Sequence, residues 1–172
     1  APAENNLPYR EASRINIHRD TWGTNLYQQI NWWAPVSNVE EKNTMIFYPD
    51  YFDVPVKNTT STWDLNIYLA NRKKGDFSYP SAPQLKEDLP SNIKKIPVTI
   101  KPGEILCFSG AHLHSSSKEK SENTRISFEI RTICENDLNS SAQAPNVDCD
   151  LQWKFPKIFK KINDNSPLKI TS

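Results

Sequence analysis

Apolar and polar positions alternate along several short stretches of the chain. From Arg14 to Asp20, Ile15 and Ile17 fall on one side and Asn16 and His18 on the other, the two-residue period of a short strand. Tyr27 to Val36 repeats the pattern: Gln29, Asn31 and Trp33 share one face, Ile30 and Trp32 the other, and Pro35 marks a strand terminus. Thr44 to Tyr48 predicts a third strand, closed by Pro49-Asp50. Lys95 to Ile100 alternates and runs into Lys101-Pro102-Gly103-Glu104, a turn, after which Ile105 to Phe108 is a short apolar strand. Arg125 to Ile133 is the clearest strand: Ile126, Phe128 and Ile130 point one way, Arg125, Ser127, Glu129 and Arg131 the other.

Helical spacing is rarer. Trp63, Ile67 and Ala70 predict a helix over Thr62 to Arg72, with Thr60 or Ser61 as its cap. Residues 73–93 are rich in Pro, Ser and charge and read as a long loop, and residues 57–93 together as an insertion or lid-like segment. Residues 1–13 read as a polar arm and 135–150 as a polar loop. The tail from Leu151 to Ser172 carries Trp153, Phe155, Ile158, Phe159 and Ile162 and predicts a short amphipathic helix packing back on the domain. Many short strands divided by turns predict a mainly β fold, a sandwich or double-sheet jelly roll with a few flanking helices.

Composition narrows this picture. The 172 residues suit one domain, with a core expected over about 14–133. Five Trp, six Tyr and seven Phe favour β structure and an aromatic-lined pocket. The 21 basic and 20 acidic residues leave a net charge of +1 with no basic stripe, so neither nucleic acid nor an anionic membrane surface is an expected partner. No run of about 18 apolar residues is present to span a bilayer, and Ala1 to Arg10 has no apolar stretch of the signal-peptide kind. Cys107, Cys134 and Cys149 are odd in number and match no zinc spacing. They read as packing residues of a cytoplasmic protein, a Cys134–Cys149 disulfide being the lesser alternative. Asn58-Thr59-Thr60 and Asn139-Ser140-Ser141 fit the short glycosylation pattern, which carries little weight without a signal peptide.

The chemistry concentrates in few residues. The three histidines are His18, His112 and His114, and Asp20 follows His18 by two positions. In extended chain that spacing puts imidazole and carboxylate on one side, able to reach one metal ion, with a third ligand from a distant strand. Two His and one carboxylate with open positions is the arrangement of non-haem Fe(II) oxygenases. By itself His-x-Asp is a weak signal, as common in a surface His beside a turn Asp. The second cluster adds weight: Gly103-Glu104-Ile105-Leu106-Cys107-Phe108, then Ser109-Gly110-Ala111-His112-Leu113-His114-Ser115, and Arg125-Ile126-Ser127.

With these residues the chain resembles the phytanoyl-CoA dioxygenase family of the 2-oxoglutarate/Fe(II) oxygenases. That family has His-x-Asp, a strand, an Asn-Gly-x-Leu-like turn and strand ending in Pro, then Gly-Asp, an apolar strand, Phe, a turn, the second His, and later an Arg. Here the corresponding residues are His18-Arg19-Asp20, the strand Gln28 to Val36, Asn43-Thr44-Met45-Ile46-Phe47-Tyr48-Pro49, Gly103-Glu104, Phe108, His114 and Arg125. The likeness covers about 14–133 and includes the family's step of 125 − 114 = 11 residues from His to Arg. Thr44 stands where Gly is usual, Tyr51 near where a His is common, and the helices that precede His-x-Asp in the family have no counterpart ahead of His18.

The resemblance implies a double-stranded β-helix (jelly roll, cupin-like) with Fe(II) on His18, Asp20 and His114. It implies 2-oxoglutarate and O2 as co-substrates and hydroxylation of a small-molecule metabolite with release of succinate and CO2. Arg125 would hold the far carboxylate of 2-oxoglutarate as a guanidinium fork, helped by Ser127, with Arg131 as the fallback. Gln29 and Asn31 would line the co-substrate pocket. Trp22, Tyr27, Trp33 and His112 are candidate substrate contacts, with ordinary core packing the competing reading for the aromatics. His112 competes with His114 for the metal, and the family spacing favours His114. Two other classes remain open: a cupin-like metalloenzyme without 2-oxoglutarate, and a non-enzymatic jelly-roll module that binds ligands on its Trp faces.

Overall fold

The computed structural model describes residues 15–117, 121–140, 142–154 and 156–169. Arg14 and Phe155 lie outside them. The regular structure is mostly small antiparallel sheet. In chain order it comprises α1 (Thr21–Thr24), β1 (Ile30–Pro35), β2 (Met45–Phe47), α2 (Leu65–Lys73), β3 (Ile96–Pro97), β4 (Leu106–Ser109), β5 (His114–Ser116), β6 (Ser127–Thr132) and α3 (Glu135–Asn139). Two three-stranded sheets form, one in the order β4-β1-β6 and the other β3-β2-β5.

The central strand of the first sheet is β1, ending at Pro35 as the sequence predicts. Its alternation is real: Gln29, Asn31 and Trp33 are buried while Trp32 is 40% exposed. Register sets Asn31 opposite Phe108 and Arg131, and Trp33 opposite Leu106 and Glu129. The charged face of β6 thus lies on the same side of the sheet as Asn31 and Trp33. Its apolar face, with Ile126, Phe128 and Ile130, is about half exposed. In the second sheet, β2 pairs with β5 so that Phe47 stands opposite His114.

Several expected elements differ. The segment before Asp20 makes only a single bridge, His18 to His114, instead of a full strand. Asp20 then turns the chain into α1. Helix α2 starts three residues later than expected, because Asp64, not Thr60 or Ser61, caps it by accepting from the Asn66 and Ile67 amides (2.6 and 3.3 Å). The strand expected over Lys95 to Ile100 shrinks to two residues, and β5 was not anticipated.

Within residues 57–93 the chain is pinned by backbone bonds and by packing. Thr59 and Lys86 make backbone hydrogen bonds across the segment to Gln84 and Lys57 (both 2.9 Å), and Leu85, Leu89 and Ile93 pack on the cluster around Trp22 and Leu113. The polar stretch 135–150 contains α3 and sends Cys149 into that same cluster. In the tail, Pro156–Ile158 is a single 3-10 turn instead of an amphipathic helix. Packing there comes from Phe159 and Leu168, which meet Leu26, so the tail does lie back on the domain. All three cysteines are free thiols; Cys149 is buried, but Cys107 and Cys134 are exposed, so the packing role holds only for the first. Among the described residues no helix is long and apolar enough to cross a membrane.

Candidate metal centre

His18, Asp20 and His114 converge. One ligand atom from each lies within 4.8 Å of the others, and all three side chains are buried. Backbone brings them together. His18 and His114 exchange both of their main-chain hydrogen bonds, at 2.9 and 3.0 Å, which joins the start of the described chain to β5. The Thr21 amide donates to the Gly110 carbonyl (3.2 Å), and the Gly110 amide to the Gln29 carbonyl (3.0 Å), which fixes the turn holding Asp20 against β1.

Side-chain hydrogen bonds then aim the ligand atoms. His18 Nδ1 lies 2.8 Å from the Asn16 carbonyl, and His114 Nδ1 lies 2.9 Å from the His112 carbonyl. Since a carbonyl only accepts, each Nδ1 carries a proton; in the neutral ring it is the Nε2 lone pair that points inward, and a protonated His18 instead donates from Nε2 to Asp20. Those Nε2 atoms face different oxygens of one carboxylate: His18 is 3.5 Å from Asp20 Oδ1 and His114 is 3.6 Å from Oδ2. Neutral imidazole and ionised carboxylate in a buried pocket form the donor set a divalent ion requires.

Asp20 is held from behind and from the side. Asn31 Nδ2 donates to Oδ2, Gln29 Nε2 donates to Asn31 Oδ1 (2.8 Å), and the Thr24 hydroxyl donates to Gln29 Oε1 (3.2 Å). Gly110 makes room for this chain: a Cβ there would sit 2.9 Å from Gln29 Nε2. Arg131 donates from its Nη2 to Oδ1 (2.8 Å) and from its Nε to Glu129 (2.8 Å). Burial alone would raise the Asp20 pKa, but the hydrogen bond to His18 and the charges of His114, His18 and Arg131 outweigh it and hold the carboxyl well below the usual range. Burial works against a charged His18 too, yet Asp20 wins and its pKa rises. At His114 burial dominates, the charge of His18 adds to it, and the pKa falls to about 4.

Beside this group lies a cavity of about 210 Å³, lined among others by Trp33, Met45, Arg125, Ser127 and Arg131. Arg125 stacks its guanidinium over the Trp33 ring (5.6 Å), and its buried Nη1 has no hydrogen-bond partner among the described residues. Burial lowers its pKa. Arg131, by contrast, is engaged by Asp20 and Glu129. Of the two candidate anion-binding arginines, the one with a buried donor left unused among the described residues is Arg125.

The other predicted site residues fall out as follows. His114 and not His112 faces Asp20; His112 hydrogen-bonds the Ser109 carbonyl (3.1 Å) and packs on Phe52, away from the cavity. Gln29 and Asn31 do not line the cavity, because their polar groups form the chain that orients Asp20. Trp22 and Tyr27 pack in the core and are not part of the cavity lining: Trp22 is fully buried and donates to Asp148 (2.7 Å). Trp33 does reach the cavity wall.

Sequence reasoning passed over Arg19, the middle residue of His-x-Asp. It is 2% exposed, pairs with Asp148 (3.1 Å), and donates to the carbonyls of Ala111, Tyr51, Val54 and Phe52. It ties the site to the 51–54 loop and to Asp148. A charged residue between two ligands was the available signal, but its partners lie 32 to 129 positions away.

No protein-family model matches the chain, and no curated protein is similar to it. What fold and site define is thus a mainly antiparallel β protein with a buried His-Asp-His group able to hold a metal ion.

Proposed function

We propose that the protein is an Fe(II)- and 2-oxoglutarate-dependent oxygenase, a hydroxylase of a small molecule built on a jelly roll of the phytanoyl-CoA dioxygenase type. The observation that carries this reading is the buried, unpartnered Nη1 of Arg125 in the same cavity as His18, Asp20 and His114. A buried guanidinium donor without an acceptor is costly. The carboxylate of a bound dianion would satisfy it with the paired hydrogen bonds that guanidinium favours. In a metal centre with no anionic co-substrate, Arg125 would keep its stacking on Trp33 but leave that donor without an acceptor among the described residues.

His18 and His114, through Nε2, and Asp20 would hold the iron. Fe(II) with 2-oxoglutarate would supply O2 activation, the co-substrate leaving as succinate and CO2. The remaining work belongs to the protein. Asn31 keeps Asp20 turned toward the two histidines. Arg125 and Ser127, both in the cavity wall, would hold the far carboxylate of the co-substrate. Trp33, Met45 and Ile15 form apolar walls that limit water at the reacting carbon. The size of the cavity suits a small metabolite.

The test is an anaerobic titration with Fe(II) and then 2-oxoglutarate, monitored for the weak visible charge-transfer band of the chelate. The band forms in the wild type, is lost in His114→Ala and weakens in Arg125→Met. Fe(II) binding without a band would move the protein to the cupin-like metalloenzymes, and absence of metal binding would remove the reading altogether.

A further inference from the structure

The two donors that grip Asp20 are unlike in charge and in mounting. Asn31 is neutral, fully buried and backed by Gln29 and Thr24. Arg131 is cationic, and its side chain is 41% exposed at the cavity wall. The β1–β6 register places the two residues directly opposite each other, so they reach the same carboxylate from neighbouring strands. Each takes a different oxygen: Asn31 takes Oδ2, beside His114, and Arg131 takes Oδ1, beside His18. Arg131 has a second anchor, Glu129, at the same 2.8 Å.

From this arrangement we infer that Arg131 sets the metal affinity of the centre by competing with the ion for Asp20. The inference rests on the metal-centre reading above. A divalent ion held by Asp20 lies within a few ångströms of a guanidinium on that same carboxylate, and because the carboxylate is buried the repulsion is only partly screened, although Arg131 reaches solvent. The ion and Arg131 also contend for the Oδ1 lone pairs. Glu129 offers Arg131 a place to retreat to, whereas Asn31, fully buried and held by Gln29, stays in place. The carboxylate therefore has one permanent donor that orients it and one exchangeable cation that weakens its hold on metal. Arg131 is a positioning residue whose charge opposes binding.

The experiment measures Co(II) affinity by its visible absorption, with the full chain, at fixed pH and ionic strength. Arg131→Gln keeps a hydrogen-bond donor and removes the charge, and tightens Co(II) binding severalfold. Arg131→Lys keeps the charge and stays near the wild-type value. Glu129→Gln leaves Arg131 to Asp20 alone and weakens binding severalfold. A merely orienting role for Arg131 predicts the opposite sign, because losing the ion pair would then loosen Asp20. Unchanged or weaker binding in Arg131→Gln, in a protein whose His114→Ala variant loses Co(II), overturns this inference and leaves the metal centre standing. A wild type that binds no Co(II) overturns both. Should Arg131→Gln fail to fold, Glu129→Gln decides: binding as tight as wild type, or tighter, refutes the competition.

Discussion

His18 and His114 are bonded to each other through their backbones, by two hydrogen bonds of 2.9 and 3.0 Å, while their side chains face opposite oxygens of Asp20. The geometry of the pair is therefore set by main chain and survives loss of either ring. His114→Ala is expected to keep its secondary structure by circular dichroism and to lose metal affinity by more than the about 100-fold that removal of an outer partner typically costs. A variant that still binds metal like the wild type would show that His114 is not a ligand.

Gly110 lies where the turn before β5 crosses Gln29. Its replacement by Ala puts a methyl 2.9 Å from Gln29 Nε2 and 3.5 Å from the Asp20 Cβ. Gln29 must then shift, and Asn31 with it. Gly110→Ala should weaken metal binding about tenfold or more, with a smaller loss of stability of roughly 1–3 kcal/mol from overpacking. Parallel metal titration and urea unfolding separate the two effects.

Arg19 and Asp148 form a buried ion pair supported by four carbonyls on Arg19 and by Trp22 and the Val56 amide on Asp148. Removing one partner strands the other. Arg19→Met is expected to cost about 3–5 kcal/mol in urea denaturation. The double variant with Asp148→Asn should recover part of that loss, and a strictly additive result would mean the pair is not coupled.

The site makes folding stability depend on pH in metal-free protein held in chelator. His114, with its pKa lowered from 6.5 to about 4, is unprotonated in the folded state while the unfolded chain takes up a proton. Stability therefore falls as pH drops from 6.5 towards 4. His18 has a raised pKa, so its contribution is complete below 6.5 and is lost as pH rises through the folded value. Asp20 adds a further loss only at stronger acidity. The melting temperature should peak near pH 6.5, and His114→Phe should flatten the side between 6.5 and 4. An unchanged acid limb in that variant would assign it to other groups.

Cys107 and Cys134 are exposed and Cys149 is buried against Thr21 and Leu151. A thiol reagent should modify two cysteines rapidly in native protein and the third only on unfolding. Three fast thiols would mean that the segment around Cys149 opens readily. Alternation in the sequence did not distinguish these cysteines, because burial of Cys107 depends on which face of β4 is covered.

What the sequence by itself determined is local. A period of two located β1, β2 and β6, and Pro35 stopped β1, because side-chain direction in a strand follows from backbone geometry alone. The His-x-Asp spacing and the family resemblance nominated His18, Asp20 and His114, and alternation set Arg125 and Ser127 on one face of the strand expected over Arg125 to Ile133. Tertiary structure decided which face points inward. Burial preference alone would turn Ile126, Phe128 and Ile130 towards a core, yet the Arg125, Ser127, Glu129 and Arg131 face lines the cavity. Contacts between distant segments also converted Gln29 and Asn31 from expected pocket contacts into the support of Asp20, and made Arg19 a buried hub. Each of those outcomes depends on partners far apart in the chain, whose approach is set by packing and strand register and leaves no trace in local pattern.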